Sequence, residues 1–227
     1  MREMEDESVK MILTDPPFGV AFTPPRESSR DRLGDQPVMN DEIQDEEWVK
    51  WFTPICKEMH RVLKNDSVAY LFCGWGKVDN YYYSIMEDCG FTIKAVVVWV
   101  KNNFGIGYHF RRQYEKIVVG FKGNPPTPEK AISDVIFDKK VNGKDLRHSC
   151  QKPLPILETL LKQYTEKGDI IFEPFAGSCS HVVACIRTDR NWIACELDEH
   201  HYKNGLERLK ISEKGIYVDE TMQLPMF

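Results

Sequence analysis

What most restricts the fold of this chain is a repeated unit: a short apolar run, stopped by an acid, glycine or proline, beside a stretch with helical spacing. Residues 8–14 end in the turn Asp15-Pro16-Pro17-Phe18, and residues 67–73 end at Gly74. Residues 169–172 end at Glu173-Pro174, and residues 192–195 end at Glu196. Between and after them the pattern predicts helices over 48–63, 78–88, 153–164, 179–187 and 200–210. In the first of these, Trp48, Phe52, Ile55, Met59 and Val62 recur at spacings of three and four. Strands that alternate with helices are brought side by side in a parallel sheet covered on both faces. The expected fold is therefore α/β with a doubly wound, mostly parallel sheet. Residues 91–100 and 114–121 are β-rich with no helical pattern between them, which predicts a hairpin-type antiparallel edge over 91–121. A short strand is expected at 134–137, and Asn65-Asp66 is expected to separate the first helix from the strand at 67–73.

A chain of 227 residues is long enough for one sizeable core. The expectation is a single domain over 1–222 and a flexible tail over 223–227. Inside that domain lie a long polar loop at 19–47 and a Pro-, Lys- and Asp-rich segment at 122–150. Loops of that length are usually functional or disordered. No apolar run approaches the ~20 residues of a membrane helix, and the acidic start lacks the order of a signal peptide, so a cytoplasmic protein is expected. Seven cysteines are scattered without a C-x-x-C pair or zinc spacing, which favours free thiols and no metal site.

The net charge of −5 argues against nucleic acid, but its distribution reverses that impression. Residues 1–47 carry thirteen acids and five bases, whereas residues 94–122 carry six bases and one acid. Such a chain can present one cationic face to phosphates. The stretch 101–112 mixes bases, aromatics and glycines, as a surface that pairs phosphates and stacks bases would. Lys101, Tyr108, Arg111, Arg112, Lys139, Lys140 and Lys144 are the candidate DNA-binding residues.

Two stretches carry chemistry. In the first, Pro16-Pro17 cannot continue a ladder, so a stiff backbone delivers the Asp15 carboxylate and the Phe18 ring at a strand tip. That combination suits the holding of a planar polar group. In the second, Phe172-Glu173-Pro174-Phe175-Ala176-Gly177-Ser178 is a tight turn before a helix, with Glu196 ending the next strand. A helix N-terminus offers N–H groups, and a carboxylate on the next strand can bind ribose hydroxyls. Only Gly177 is glycine there, so a dinucleotide is a weak reading.

These residues resemble the S-adenosylmethionine-dependent DNA amino-methyltransferases. Asp15-Pro16-Pro17-Phe18 precedes Glu173-Pro174-Phe175-Ala176-Gly177-Ser178, the motif order of their beta group. The likeness extends through Trp99-Val100-Lys101, Glu115 to Val119, His148 to Pro153, Arg190 to Glu196 and Tyr202 to Arg208. The resemblance implies a Rossmann-like methyltransferase fold with circularly permuted motif order. It implies that Asp15, Pro16, Pro17 and Phe18 hold the target base, flipped from double-stranded DNA. Glu173, Phe175, Ala176, Gly177 and Ser178 would line the S-adenosylmethionine site, with Glu196 on the ribose and Lys152-Pro153 closing over the methionine end. Aspartate before Pro-Pro resembles the adenine-N6 members; cytosine N4 is the alternative, and a catalytically weak nucleic-acid-binding homologue a further one. Cys179 departs from the family's usual second glycine, and 122–148 is short where larger members place target recognition. Family members are often dimers. The tail Gln223-Leu224-Pro225-Met226-Phe227 resembles peptides that dock on the bacterial sliding clamp, which makes Gln223, Leu224, Met226 and Phe227 candidate contacts.

Overall fold

The computed structural model describes residues 1–18, 45–74, 78–105, 109–139 and 151–211. The chain runs β1 (Val9–Thr14), α1 (Asp45–Val62), β2 (Leu63–Cys73), α2 (Val78–Asp88), β3 (Thr92–Val100), β4 (Tyr114–Lys122) and β5 (Val135–Phe137). It continues through α3 (Leu154–Tyr164), β6 (Ile170–Glu173), α4 (Ser180–Arg187), β7 (Asn191–Ala194) and α5 (Glu199–Ile211). The seven strands form one sheet in the order β5-β3-β4-β2-β1-β6-β7. Every pair is parallel except the two that β4 makes, with β2 and with β3. This is the mostly parallel sheet expected from the alternation, permuted and Rossmann-like as the resemblance implied, with its antiparallel hairpin where 91–121 placed it.

Helices cover both faces, and β2 displays why. Its odd residues Ala69, Leu71 and Cys73 pack with Trp48, Phe52 and Met59 of α1 and Tyr82 and Met86 of α2. Its even residues Val68, Tyr70 and Phe72 pack with Ile156, Leu157, Leu160 and Leu161 of α3 and Ala184 and Cys185 of α4. All six β2 side chains are buried, so the strand reads as an unbroken apolar run. Burying a Leu or Phe of this kind is worth about 1.5–3 kcal/mol. Among the described residues no helix is long and apolar enough to cross a membrane.

Two boundaries differ from the sequence expectation. Helix α1 starts at Asp45, because Asp45, Glu46 and Glu47 suit the positive end of a helix dipole as well as they suit a loop. Asn65-Asp66 does not separate helix from strand: β2 begins at Leu63 and absorbs both residues as a bulge. The pairing steps from Val9↔Leu63 to Met11↔Val68, with Asp66 at φ +52 and its Oδ1 accepting the Asn124 N–H at 2.7 Å.

The topology fixes where a site can form. From β1 the chain moves outward to β2, then returns across α3 to the other side of β1 as β6. The C-terminal end of β1 is thus a topological switch point, where open α/β sheets bind ligands. Pairings Thr14↔Leu71, Cys73↔Lys116, Val100↔Tyr114, Val100↔Phe137 and Glu173↔Ala194 bring both chemical stretches and the basic loop to that edge.

Candidate active site

Asp15 follows the fully buried Thr14 and leaves the sheet at the switch point. Its turn is held from outside: the buried Trp48 indole donates to the Pro17 carbonyl at 3.0 Å. The Phe18 ring lies over Gly74, where a Cβ would stand 2.8 Å from Cδ2, so only glycine lets the ring approach this closely. A charged group lies beside it. Lys152, 4% exposed, donates to Asp15 Oδ2, and its Nζ is 5.7 Å from the Phe18 ring centre. The same ammonium is 3.5 Å from Glu115 Oε2, and Lys101 donates to Glu115 Oε1 at 2.5 Å. Burial pushes the Asp15 carboxyl above its ordinary range; Lys152 opposes this and Glu115 adds to it. For Glu115 burial also pushes upward, but Lys152 and Lys101 on either side reverse it and hold the group below the ordinary range.

The second stretch joins the first through a buried network. Thr14 Oγ1 donates to Glu173 Oε1 at 2.5 Å, which also accepts the Phe175 N–H at 2.9 Å. His181 Nδ1 stands 2.6 Å from Glu173 Oε2. Glu173 is 2% exposed, and its carboxylate ties β1, the turn and α4 together. Glu196 stays at the turn: its oxygens accept the N–H groups of Gly177 at 2.7 Å and Asp198 at 2.9 Å. Leu197, 58% exposed, follows it. Arg208 of α5 donates to the Ser178 carbonyl at 2.5 Å and to Ser180 Oγ at 3.0 Å.

Cys179 takes the left-handed backbone conformation, φ +56 and ψ +27, at the N-cap of α4, which explains the preference for glycine there. Its side chain fits because α5 has no side chain opposite: a Cβ at Gly205 would lie 2.6 Å from Cys179 Sγ. Burial pushes the thiol up to about 12, so it packs as an apolar group and not as a nucleophile.

The expected DNA-facing residues separate. Arg111, Arg112 and Lys139 are exposed, and Arg111 lies over the Phe104 ring at 4.4 Å. Lys101 instead turns inward to Glu115. Phe110 and Phe137, 97% and 78% exposed, stand on the same edge. Tyr108, Lys140, Lys144 and the tail residues Gln223, Leu224, Met226 and Phe227 lie outside the described residues, as do most of loop 19–47 and residues 140–150. Among the described residues no cluster of acids, His and Cys could hold a metal. Sequence reasoning missed Thr14, Trp48, Gly74 and His181 as site residues, and the pairing of Glu115 with Lys152. Their types carry no local signal: Thr14, Trp48 and Gly74 act on partners far along the chain, and His181 meets Glu173 only because α4 folds back on the turn.

A strand-tip carboxylate beside a ring, and a second turn closed by a carboxylate, define a class: an enzyme that acts on a planar amino-bearing group with a nucleoside cofactor. The comparisons make the class specific. A family model described as DNA methylase (N6_N4_Mtase) matches residues 9–207. The chain is 31% identical over 216 residues to YubD of Escherichia coli (strain K12), covering 95% of this chain and 88% of that one. To the DNA adenine methyltransferase YhdJ of the same organism it is 23% identical over 252 residues, covering 93% and 80%. The solved PvuII DNA methyltransferase, cytosine-N4-specific, superposes with a TM-score of 0.71 at 15% identity, covering 95% and 83%. The chain belongs to the S-adenosylmethionine-dependent DNA amino-methyltransferases. The residues present suit that cofactor: the Glu196 carboxylate is held at the turn by the Gly177 and Asp198 N–H groups, and Leu197 beside it leaves an exposed apolar side chain.

Proposed function

We propose that the Asp15–Phe18 pocket holds a base flipped out of duplex DNA and presents its exocyclic amino group to the methyl donor. The observation that carries this is the state of Asp15. Its Oδ2 is engaged by Lys152, while Oδ1 is buried and accepts no hydrogen bond among the described residues. An unpaired buried acceptor costs about 1–3 kcal/mol, which an amino hydrogen would recover.

The chemistry follows from that geometry. An exocyclic amino group is a poor nucleophile because its lone pair is delocalised into the ring. Asp15 Oδ1 and the Pro16 carbonyl each accept one amino hydrogen, localising the lone pair for in-line attack. When bound, S-adenosylmethionine supplies an electrophilic sulfonium methyl. Phe18, pinned over Gly74, stacks on the base and offsets part of the few kcal/mol that flipping costs. Glu196 holds the ribose with the lone pairs that Gly177 and Asp198 leave, and Leu197 packs on the adenine ring of the cofactor. Glu173 acts behind the turn, setting its shape. Lys152-Pro153 joins the cofactor site to Asp15. Arg111, Arg112 and Lys139 meet phosphates, and Tyr108, Lys140 and Lys144, outside the described residues, are proposed as further DNA contacts.

Adenine N6 and cytosine N4 are the two exocyclic amino groups that the family model's name gives. Cytosine N4 has support from the likeness to the PvuII enzyme, and adenine N6 from Asp15 before Pro16-Pro17 and from YhdJ. The fold likeness gives cytosine at least equal standing. Transfer of labelled methyl to DNA, RNA and protein, followed by nucleoside analysis, tests the proposal. N6-methyladenine or N4-methylcytosine in DNA, lost in Asp15→Ala, is expected. Label confined to RNA or protein would refute it.

Residues 1–222 are the proposed catalytic unit, working in the cytoplasm as a monomer or dimer that sedimentation distinguishes. The tail at 223–227 is proposed to dock on a sliding clamp; equal calorimetric binding after its deletion would end that idea.

A further inference from the structure

Two acids and two lysines alternate along the site edge of the sheet. Asp15 ends β1, Lys152 precedes α3, Glu115 lies on β4 and Lys101 follows β3. Their side chains are 15%, 5%, 17% and 18% exposed, in that order. Lys152 is bonded to Asp15 Oδ2 and stands 3.5 Å from Glu115 Oε2, and Lys101 fixes Glu115 Oε1 at 2.5 Å. The Asp15–Lys152 pair is already neutral. Each further buried ion carries a desolvation cost of several kcal/mol, so a second carboxylate beside the pair needs a reason.

Methyl transfer provides one. The carbon–nitrogen bond forms as the carbon–sulfur bond breaks, its electron pair staying on sulfur as a neutral thioether. The amino nitrogen becomes positive until it gives up one proton, and Asp15 Oδ1 is the acceptor in place. Taking that proton neutralises Asp15 and would leave Lys152 a buried cation beside a neutral acid. Glu115 Oε2 has no hydrogen-bond partner among the described residues and lies within reach of the same ammonium.

We infer that Glu115 is a positioning residue: it shares the Lys152 ammonium with Asp15 and keeps that ammonium paired when Asp15 takes up the amino proton. This rests on the methyl-transfer reading above. Lys101 holds the far oxygen of Glu115, so the near one stays aimed at Lys152. The titratable groups that act on Asp15 are Lys152, Glu115 and His181; the lysine and histidine favour its ionised form, and Glu115 disfavours it. Glu115 itself is held ionised by its two lysines, so the product proton goes to Asp15 and not to Glu115.

The sign of each perturbation follows. Removing the Glu115 charge removes a carboxylate that competes with Asp15 for the Lys152 ammonium and makes Asp15 a weaker proton acceptor. Removing the Lys152 charge does the reverse. The test uses Glu115→Gln and Lys152→Gln with two measurements. One is the titration of Asp15 by NMR of ¹³C-carboxyl-labelled aspartate, its signal identified by loss in Asp15→Asn; this needs neither cofactor nor DNA. The other is the pH dependence of kcat on DNA. In Glu115→Gln the Asp15 midpoint and the acid limb of kcat are expected to move down by about one pH unit, and in Lys152→Gln up by about as much. At neutral pH kcat of Glu115→Gln falls about ten-fold, the equivalent of that displacement, with KM for DNA and cofactor unchanged. Glu115→Asp keeps the charge but draws it back, and falls between. A folded Glu115→Gln with an unmoved midpoint, or with activity lowered equally at every pH, overturns the inference. If Glu115→Gln does not fold, Glu115→Asp carries the test, and a midpoint coinciding with the wild type overturns it. A wild-type chain that transfers no methyl to DNA refutes the underlying reading instead, and the titration keeps the two failures apart.

Discussion

Replacing Gly205 with alanine tests how the cofactor turn is built. In a free helix this change stabilises by about 1 kcal/mol, since glycine is the poorer helix former. Here the new Cβ would stand 2.6 Å from Cys179 Sγ and 3.5 Å from the Gly177 carbonyl oxygen. The second distance is an ordinary contact; the first requires the thiol or the helix to move. Overpacking of a buried site costs about 1–3 kcal/mol, so Gly205→Ala should be neutral to destabilising by about 2 kcal/mol. Cys179→Gly removes both the obstacle and a left-handed non-glycine backbone worth about 1–2 kcal/mol, but loses the buried thiol contact, and the two nearly cancel. In that background Gly205→Ala should stabilise by about 1 kcal/mol. The expected coupling is therefore about 1–3 kcal/mol, measured by urea denaturation of the wild type, both single variants and the double variant. Additivity within about 0.5 kcal/mol would show that Cys179 and Gly205 do not share one space, and the account of the turn would fall with it.

Three further outcomes follow from the same contacts. Gly74→Ala places a Cβ 2.8 Å from Phe18 Cδ2, so the ring must shift; kcat should fall about ten- to a hundred-fold while the urea midpoint changes little. Thr14→Val removes the donor to the buried Glu173 carboxylate and should cost about 1–3 kcal/mol by denaturation, with retention of full stability counting against the network. Arg208→Ala frees the Ser178 carbonyl and should weaken S-adenosylmethionine binding about ten-fold by calorimetry, and unchanged affinity would make α5 irrelevant to the turn.

Burial raises the Cys179 thiol beyond reactivity at neutral pH, so it packs as an apolar group. The departure from glycine at 179 is explained by a residue 26 positions later in the chain, Gly205, which no pattern around 179 announces. Lys101 is the counterexample to reading charge from composition. It belongs to a basic stretch, yet it faces Glu115 at 2.5 Å, because β3 and β4 are neighbours and their ends bring the two together.

By itself the sequence determined the strand–helix alternation, the antiparallel edge, the two strand-end turns and the resemblance carried by them. These are local properties: apolar runs, helical spacing, and prolines that must leave a sheet act within a few residues. Only the tertiary structure decided that β1 lies between β2 and β6, so that Asp15 stands at a switch point. It also decided that Lys152 reaches Asp15 across 137 positions and that Thr14 reaches Glu173 across 159. Whether a buried carboxylate is a ligand, a strut or a proton acceptor depends on which groups remove it from water. Those groups are assembled by strand order, and strand order is set by the burial of both sheet faces together.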